Sequence, residues 1–462
     1  MQKRKLIRNV RSIISCDALD TVYSDSDILI EGYQIKRIGR NLPVEGCEVL
    51  DGSSYFIYPG LVNTHHHFFQ TSVRNLMAID YPNILVVDWL DLIYPLFAQI
   101  DNEVIYHSSL VAMADLLKHG CTTAFDHQYC YTRTTGKYPI DYQMEAASLL
   151  GIRYHAGRGC NTLEKVKGST IPEEMVETTD EVLADCERLV KAYHNPAANS
   201  MSQIVFAPCQ PINSYQQTFT EMLALARQLK VRLHTHLGEG ENPIMVERFG
   251  KRTLAWAQDI GFIGDDVWYA HGWELQKAEY ELMGRSGTSL SHCPAPAVLG
   301  GYPIIDIPAM ERAGVNVSLG CDGSATNDGS NLLDSLRMAY LAQSYRSKVR
   351  GGAPSSYEML KMATVNGAKT LGRDDIGSLE VGKAADLFAI DVSCLDLAGT
   401  LHDPKNLLAR CGVTGQVSLT MVGGEVVFQD GRLLTVDEHD LSLKANRVFE
   451  KQLYARFPAI FG

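Results

Sequence analysis

The stretch YPGLVNTHHHF, residues 58–68, decides how this 462-residue chain is expected to fold. A short apolar segment follows the Pro-Gly pair and runs directly into three histidines. Alternate side chains of a β-strand share a face, so His65 and His67 point one way and His66 the other. Two imidazoles on one face can chelate one metal ion, and parallel α/β barrels hold their active sites at the carboxyl ends of the strands. The stretch therefore predicts the first strand of a barrel with a metal site at its end.

Short apolar segments alternate with longer amphipathic ones through the middle of the chain. The predicted strands are Leu61–His67, Thr122–Asp126, Arg153–Gly157, Gln203–Ala207, Arg232–His236, Val267–His271, Thr288–His292 and Asn316–Asp322. The intervening segments carry helical periodicity, as in SSLVAMADLLKHG, EVLADCERLVKAYH, TEMLALARQLK and SLRMAYLAQSYR. Eight strands alternating with helices over about 270 residues predict an α/β protein with a (β/α)₈ TIM-like barrel.

Both ends of the chain have a sequence pattern that differs from the alternating strands and helices of the middle. KLIRNVRSII near the start and VSLTMVGGEVVFQDGRLL near the end read as short strands with Gly, Asn and Asp turns. We predict a small β-sandwich built from residues 1–58 and 375–462, the second part including a terminal helix. The metal-dependent barrel, residues 59–374, would be inserted between the two halves.

The bulk composition excludes several classes of function. The 42 Lys and Arg against 54 Asp and Glu leave a formal charge of −12, which argues against a nucleic-acid partner. No run of about 18 apolar residues predicts a membrane span, and the start MQKRKLIRNVRSII lacks the apolar core of a secretory signal. The 11 cysteines contain no C-x-x-C pair, so buried free thiols in a reducing cytoplasm are expected. A small-molecule enzyme of the cytoplasm fits these properties.

The segment HTHLGEGE, residues 234–241, is a second candidate for the metal site. His236 lies nearer the end of its predicted strand than His234 and is the expected ligand. Glu239 follows in the loop and is the expected acid or base. His234 is expected to pack or hydrogen-bond behind the site.

Two later strands also end in groups that can bind a metal or move a proton. His271 closes the segment Tyr-Ala-His-Gly, and Asp322 closes Leu-Gly-Cys-Asp-Gly. Each one alone could be a satisfied polar group at a barrel end. Four such endings on one predicted barrel favour a single site, where imidazole and carboxylate suit zinc and an open position for water makes it catalytic.

At this point the chain resembles the mononuclear aminohydrolase branch of the amidohydrolase superfamily. The resemblance consists of H-x-H after the first strand, H-x-x-E after the fifth, His after the sixth and Asp after the eighth. It extends to the closing G-x-L-x-x-G-K-x-A-D-L at Gly377–Leu387 and spans nearly the whole chain. Binuclear members usually bridge their metals with a lysine on strand four, whereas SQIVFAPCQP here has none.

The resemblance implies a role for each of the strand-end residues. One divalent metal ion, Zn²⁺ with Fe²⁺ as the alternative, would activate water. The implied ligands are His65, His67, His236 and Asp322. Asp322 would also accept the proton of the attacking water, His271 would orient that water, and Glu239 would protonate the ring nitrogen beside the attacked carbon.

The expected substrate is a small nitrogen heterocycle that loses an amino or alkylamino group. Related guanine and 8-oxoguanine deaminases usually carry Ser or Thr and Asn after His-Cys-Pro, where this chain has Ala295, Pro296 and Ala297. This difference favours triazines, while purine or pterin deamination and triazine chlorohydrolysis stay open as alternatives. A scaffold without activity is disfavoured because the ligands and both proton-transfer residues are present. By analogy with relatives, a homo-oligomer of two or more chains is expected.

Further polar groups at strand ends are expected either to contact the substrate or to support the ligands. They are Gln70, His127, Arg158, Gln210 and His292. Four aromatic side chains could stack on a flat ring or simply pack at the barrel rim. They are Phe68, Phe69, Trp89 and Trp273.

Overall fold

The structure, a computed structural model, describes residues 3–76, 84 and 86–461. Its strands are β1 (Arg4–Ile14), β2 (Val22–Glu31), β3 (Gln34–Gly39), β4 (Glu48–Asp51), β5 (Tyr55–Pro59), β6 (Leu61–Asn63), β7 (Cys121–Gln128), β8 (Arg153–Cys160), β9 (Ser202–Pro208), β10 (Arg232–Leu237), β11 (Val267–His271), β12 (Ser289–His292), β13 (Val317–Leu319), β14 (Leu387–Asp391), β15 (Leu419–Val422), β16 (Glu425–Gln429) and β17 (Arg432–Leu433).

Helices connect the barrel strands, follow the barrel and end the chain. They are α1 (Val86–Phe97), α2 (Asn102–Lys118), α3 (Pro139–Leu150), α4 (Thr179–Tyr193), α5 (Gln216–Leu229), α6 (Asn242–Phe249), α7 (Thr253–Asp259), α8 (Lys277–Ser286), α9 (Pro294–Leu299), α10 (Ile307–Arg312), α11 (Ser324–Asn327), α12 (Leu332–Arg346), α13 (Ser356–Met362), α14 (Val365–Thr370), α15 (Leu407–Cys411), α16 (Glu438–Gln452) and α17 (Pro458–Phe461).

Strands β6 to β13 form one eight-stranded parallel sheet in chain order. Its two edges meet, because Thr64 N donates to Leu319 O at 3.1 Å and Asp322 N donates to His65 O at 3.0 Å. The predicted barrel is therefore confirmed. All eight carboxyl ends lie at one rim, which is where the sequence concentrates its histidines.

The first and last barrel strands are shorter than predicted. Strand β6 ends at Asn63 and β13 ends at Leu319, three or more residues before His67 and Asp322. Beyond these points the two segments that follow β6 and β13 hydrogen-bond to each other where the barrel closes, instead of continuing as strands. Asp322 has a φ of 66°, a left-handed conformation that turns the chain out of the strand.

The chain ends build a second, mixed sheet of nine strands. Its order is β17-β16-β15-β14-β5-β1-β2-β3, and β4 also pairs with β1. The two halves join where β5 from the start of the chain pairs antiparallel with β14 from its end. One buried core receives side chains from both halves: Ile7, Val10, Ile13, Ile28, Ile30, Ile57, Leu387, Leu419 and Met421.

A buried ion pair fixes the mixed sheet to the barrel. Arg153, the first residue of β8, donates from Nε to Asp386 Oδ2 at 2.6 Å and from Nη2 to Asp386 Oδ1 at 3.0 Å. Asp386 also accepts from Gly423 N at 2.6 Å. The aspartate of the closing G-K-x-A-D-L motif thus has a structural role at this junction.

Two further properties of the chain follow from the described residues. No helix among them is both long and apolar enough to cross a bilayer. All 11 cysteines are free, and most of them are buried, as the sequence predicted.

Candidate metal centre and active site

The carboxyl rim of the barrel gathers buried imidazoles around one aspartate. His67 Nε2 lies 3.2 Å from His236 Nε2 and 3.3 Å from Asp322 Oδ1. His65 Nε2 lies 3.4 Å from the same Asp322 oxygen. Ligand atoms that are about 2.1 Å from a tetrahedral metal ion are about 3.4 Å from each other. These three separations match the spacing of ligand atoms around one zinc-like ion.

The hydrogen bonds of two histidines leave their inner nitrogens free for a metal. His67 Nδ1 is 2.9 Å from His127 O, and His236 Nδ1 is 2.8 Å from Cys209 O. A carbonyl oxygen can only accept, so each Nδ1 carries the proton. Each Nε2 then presents a lone pair to the cluster, as a metal ligand must.

His65 also carries its proton on Nδ1, because a second histidine, His234, accepts a hydrogen bond from that atom. Its Nδ1 is 2.9 Å from His234 Nε2, and His234 Nδ1 is 3.1 Å from Trp268 O. Because the Trp268 carbonyl accepts, His234 Nε2 is unprotonated and His65 Nδ1 is the donor. His65 Nε2 has no hydrogen-bond partner among the described residues. His234 thus stands behind the cluster, as its position in H-x-H suggested.

The electrostatics of the cluster match the protonation states of metal ligands. Burial lowers the pKa of His65 to about 3 and that of His236 well below its usual value, so both rings are neutral. Burial acts to raise the pKa of Asp322, but the close contacts with the imidazoles of His65 and His67 hold it well below its usual value. Neutral imidazoles and an ionised carboxylate are the forms that bind a divalent cation.

Glu239 faces the cluster from the loop that follows β10. Its Oε2 accepts from Gln210 Nε2 at 2.6 Å, and its Oε1 lies 3.3 Å from His271 Nε2 without the alignment of a hydrogen bond. Burial and the charge of Asp322 raise the pKa of Glu239 well above its usual value. A carboxyl group whose surroundings favour its protonated form is therefore held beside the groups that could bind a metal.

His271 ends β11 in a left-handed conformation with a φ of 73°. Burial lowers its pKa to about 3, so the ring is neutral. Its ring lies parallel to that of His236, with centroids 5.4 Å apart. It therefore faces the cluster and Glu239 together.

A small cleft opens onto the cluster. Its lining residues are His67, Gln70, Val86, Trp89, Leu90, Tyr94, Tyr129, Cys209, Gln210, His236, Glu239, Asp322 and Thr326. An adjoining small cleft shares Trp89 and Glu239 and has mostly apolar walls, among them Trp273, Pro296 and Tyr302. Apolar walls combined with a few convergent polar groups are typical of small-molecule sites.

The predicted substrate contacts divide into those that line a cleft and those that do not. Gln70 and Gln210 line the cleft at the cluster. His127 stacks on His236 at 4.8 Å and donates from Nε2 to Ala207 O at 2.7 Å. His292 is buried at the end of β12, and its Nε2 has no partner among the described residues.

Arg158 lies on the other side of its strand. Its guanidinium binds Glu177 Oε1 at 2.7 Å and Asp185 Oδ2 at 2.8 Å, and it stacks over Tyr131. In β8 it shares a face with Tyr154, four residues earlier, which packs in the core between barrel and helices. The strand's period of two therefore directs Arg158 outward, and the structure does not bring it to the cluster.

The four aromatic side chains considered for stacking on the substrate also fall into two groups, two that line a cleft and two that pack against other aromatic rings. Trp89 and Trp273 line the clefts. Phe69 packs edge-on against Phe97 and Tyr129, and Phe68 packs against Tyr154.

Several lining residues were not predicted from the sequence. Tyr129 could have been found, because it lies two residues after His127 and so continues one face of β7. The contribution of Cys209 could not, because its carbonyl meets His236 only through the arrangement of two neighbouring strands.

Known proteins resemble this chain over almost its entire length. Residues 56–427 match the model of the amidohydrolase family. The hydroxydechloroatrazine ethylaminohydrolase of Pseudomonas sp. (strain ADP) is 47% identical over 97% of this chain and 96% of its own. The 8-oxoguanine deaminase of Pseudomonas aeruginosa is 34% identical over 94% and 96%. The solved structure of atrazine chlorohydrolase from Arthrobacter aurescens TC1, complexed with zinc, superimposes with a TM-score of 0.92 at 30% identity, covering 96% and 99%.

Proposed function

Because the chain belongs to the amidohydrolase family, we propose that it is a hydrolase that removes an amino or alkylamino group from a nitrogen heterocycle. The bond that breaks is the C–N bond of a cyclic amidine. Water supplies the oxygen of the ring carbonyl that replaces it, and ammonia or an alkylamine leaves. The reaction is most like that named for the Pseudomonas ethylaminohydrolase.

One divalent metal ion is part of this proposal, Zn²⁺ or alternatively Fe²⁺. His65, His67, His236 and Asp322 would hold it, a set supported by their spacing and by the outward-directed Nδ1 protons. The ion would supply the Lewis acidity that activates water near neutral pH. Asp322 would receive the proton of the water, and His271 would hold the water in line for attack.

The placement of Glu239 is the observation that best supports hydrolysis of a cyclic amidine as the type of reaction. Hydrolysis of an amidine carbon needs a proton on the adjacent ring nitrogen, because the neutral ring is a weak electrophile. Glu239 lines both clefts, is held by Gln210 and has a raised pKa. It is therefore a carboxylic acid positioned to donate that proton and later to assist departure of the amine.

A hydroxytriazine with an alkylamino group is the substrate class that we propose first. It is supported by the 47% identity to the ethylaminohydrolase and by Pro296, which gives the adjoining cleft an apolar wall where related purine deaminases usually carry polar residues. Deamination of a purine or pterin is the alternative, supported by relatives named as 8-oxoguanine and isoxanthopterin deaminases.

A substrate panel tests the proposal. Metal-loaded protein is incubated with hydroxyatrazine, atrazine, ammeline, guanine, 8-oxoguanine, isoxanthopterin and isocytosine, and amine release and ring absorbance are followed. Ethylamine release from hydroxyatrazine is the expected result. Turnover of a purine or pterin alone would reassign the substrate, chloride release from atrazine alone would favour a chlorohydrolase, and no turnover at all would overturn the proposal.

We also propose that the protein acts in the cytoplasm, as its 11 free cysteines suggest. Assembly into a homo-oligomer stays a prediction. Light scattering on the purified protein would test it, and a monomer at micromolar concentration would contradict it.

A further inference from the structure

A second carboxylate holds the backbone of the proposed proton donor. Glu241 Oε1 accepts a hydrogen bond from Gly238 N at 2.6 Å, and Glu241 Oε2 accepts one from Glu239 N at 2.7 Å. Only 3% of Glu241 is exposed. Both oxygens of one buried side chain are thus engaged by the two residues at the start of the loop that carries Glu239.

Glu274, in the loop after β11, holds the remainder of the same loop. Its Oε2 accepts from Gly240 N at 3.0 Å and from Asn242 Nδ2 at 2.7 Å. In return, Glu274 N donates to Gly238 O at 3.0 Å. The loops after β10 and β11 are therefore bonded to each other in both directions.

The position of Glu241 in the chain does not explain its conformation. It precedes α6 at the site where a side chain normally accepts from the first N–H groups of the helix. Here the side chain makes no such bond and instead turns back toward the preceding loop. Burial of a carboxylate is unfavourable unless donors compensate it, so a neutral Ser or Asn would cap α6 at lower cost.

We infer that Glu241, assisted by Glu274, is a positioning residue that fixes Glu239 between Gln210 and His271. The two consecutive N–H bonds fix the φ and ψ angles of the loop, and Gln210 then fixes the carboxyl group. This inference rests on the proposed role of Glu239 as proton donor.

Glu241 and Glu274, which together clamp the loop that carries Glu239, also act on Glu239 through their negative charges. Burial and the charge of Asp322 are the largest causes of the raised pKa of Glu239, and the negative charges of Glu241 and Glu274 add to them. Burial raises the pKa of Glu241, and the bonds from Gly238 N and Glu239 N act to lower it; in its ionised form Glu241 disfavours ionisation of Glu239.

A double-mutant cycle with Glu241→Gln tests the inference. Glutamine has nearly the same shape, but its amide group cannot accept from both N–H groups. We expect kcat to fall by about 10- to 100-fold, as for other supporting residues, with KM within about twofold and the metal content unchanged. Glu247→Gln, an exposed change on α6, is the matched control and should leave kcat unaltered.

The second half of the cycle separates positioning from general destabilisation. In a Glu239→Gln background, Glu241→Gln should reduce kcat by less than about twofold, because the proton donor that it positions is gone. A full and multiplicative loss in that background would overturn the inference.

Amide hydrogen exchange provides a readout that does not depend on turnover. The segment 237–241 should exchange faster in Glu241→Gln and at the wild-type rate in Glu247→Gln. Unchanged exchange would refute the clamp even if the panel confirms the function. If the wild-type protein turns over nothing, the proposed function fails while exchange still decides the clamp, and Glu274→Gln replaces Glu241→Gln should that variant not fold.

Discussion

Arg153 at the amino end of the barrel and the histidine cluster at its carboxyl end differ in how their buried polar atoms are paired. At the amino end, Arg153 uses its guanidinium on Asp386 and on the carbonyls of Asn199 and Ser200. At the carboxyl end, several buried atoms lack a hydrogen-bond partner among the described residues: His65 Nε2, Gln210 Oε1, both ring nitrogens of His271, and His292 Nε2. Buried polar groups in proteins are nearly always paired. The Arg153 guanidinium is thus paired within the chain, whereas the unpaired atoms at the carboxyl end belong to residues proposed for the metal and substrate site.

The largest expected effect comes from the carboxyl end. Asp322→Asn removes both a proposed ligand charge and the proposed base, so activity should fall on the order of 10⁴-fold. Elemental analysis should show loss of the metal, while the circular dichroism spectrum stays the same. Asp334→Asn, exposed on α12, is the control. Activity within tenfold of wild type would show that Asp322 is not part of the site.

Removal of a partner at the amino end should affect stability instead. Asp386→Ala leaves Arg153 buried without its carboxylate, which should lower the free energy of unfolding by about 3–5 kcal/mol in urea titrations. The activity per folded molecule should remain near the wild-type value. Asp396→Ala, at an exposed position, should change neither quantity. A loss of activity without a loss of stability would break the contrast between the two ends.

A substitution of Arg158 also separates an effect on stability from an effect on substrate binding. Arg158→Lys keeps the charge but loses the forked bonds to Glu177 and Asp185, so the free energy of unfolding should fall by about 2 kcal/mol. KM should stay within about twofold, because the guanidinium faces away from the clefts. A large rise in KM at unchanged stability would restore Arg158 as a substrate contact.

The smallest expected effect is a pH dependence at the amino end. Arg373 donates to Asp375 twice at 2.7 Å, and although burial acts in the opposite direction, its bonds and charge lower the pKa of Asp375 to about 2. A lowered folded-state pKa stabilises the fold above the unfolded value near 4 and loses that contribution as the pH falls toward 2. The stability difference between wild type and Asp375→Asn should therefore shrink between pH 4 and pH 2. A difference that is independent of pH would contradict this role.

Much of the site followed from the sequence because strand geometry is regular. His67, His236, His271 and Asp322 each close a predicted barrel strand, His65 lies two residues before such an end, and parallel barrel strands end at one rim. The period of two then separated His65 and His67 from His66, whose Nε2 meets Ser330 Oγ at 2.9 Å outside the cluster. No long-range information was needed for these placements.

The period of two was also available for Arg158 but was outweighed by its position at a strand end. Register along β8 places it with Tyr154 on the helix-facing side. A polar residue near the rim can therefore be predicted to contact the substrate only when the strand's period of two places it on the inner face of the barrel.

The sequence by itself determined the barrel, a small β unit built from both chain ends and the set of residues that could bind a metal, whereas the structure shows that this β unit is one mixed sheet. These follow from local periodicity and from groups whose chemistry is independent of their neighbours. Only the tertiary structure decided which nitrogen of each histidine is free, that Arg158 is bound elsewhere and that Glu241 holds Glu239. Those features depend on distances between segments far apart in the chain, such as Cys209 and His236, which are set by how neighbouring strands align and not by any pattern within one strand.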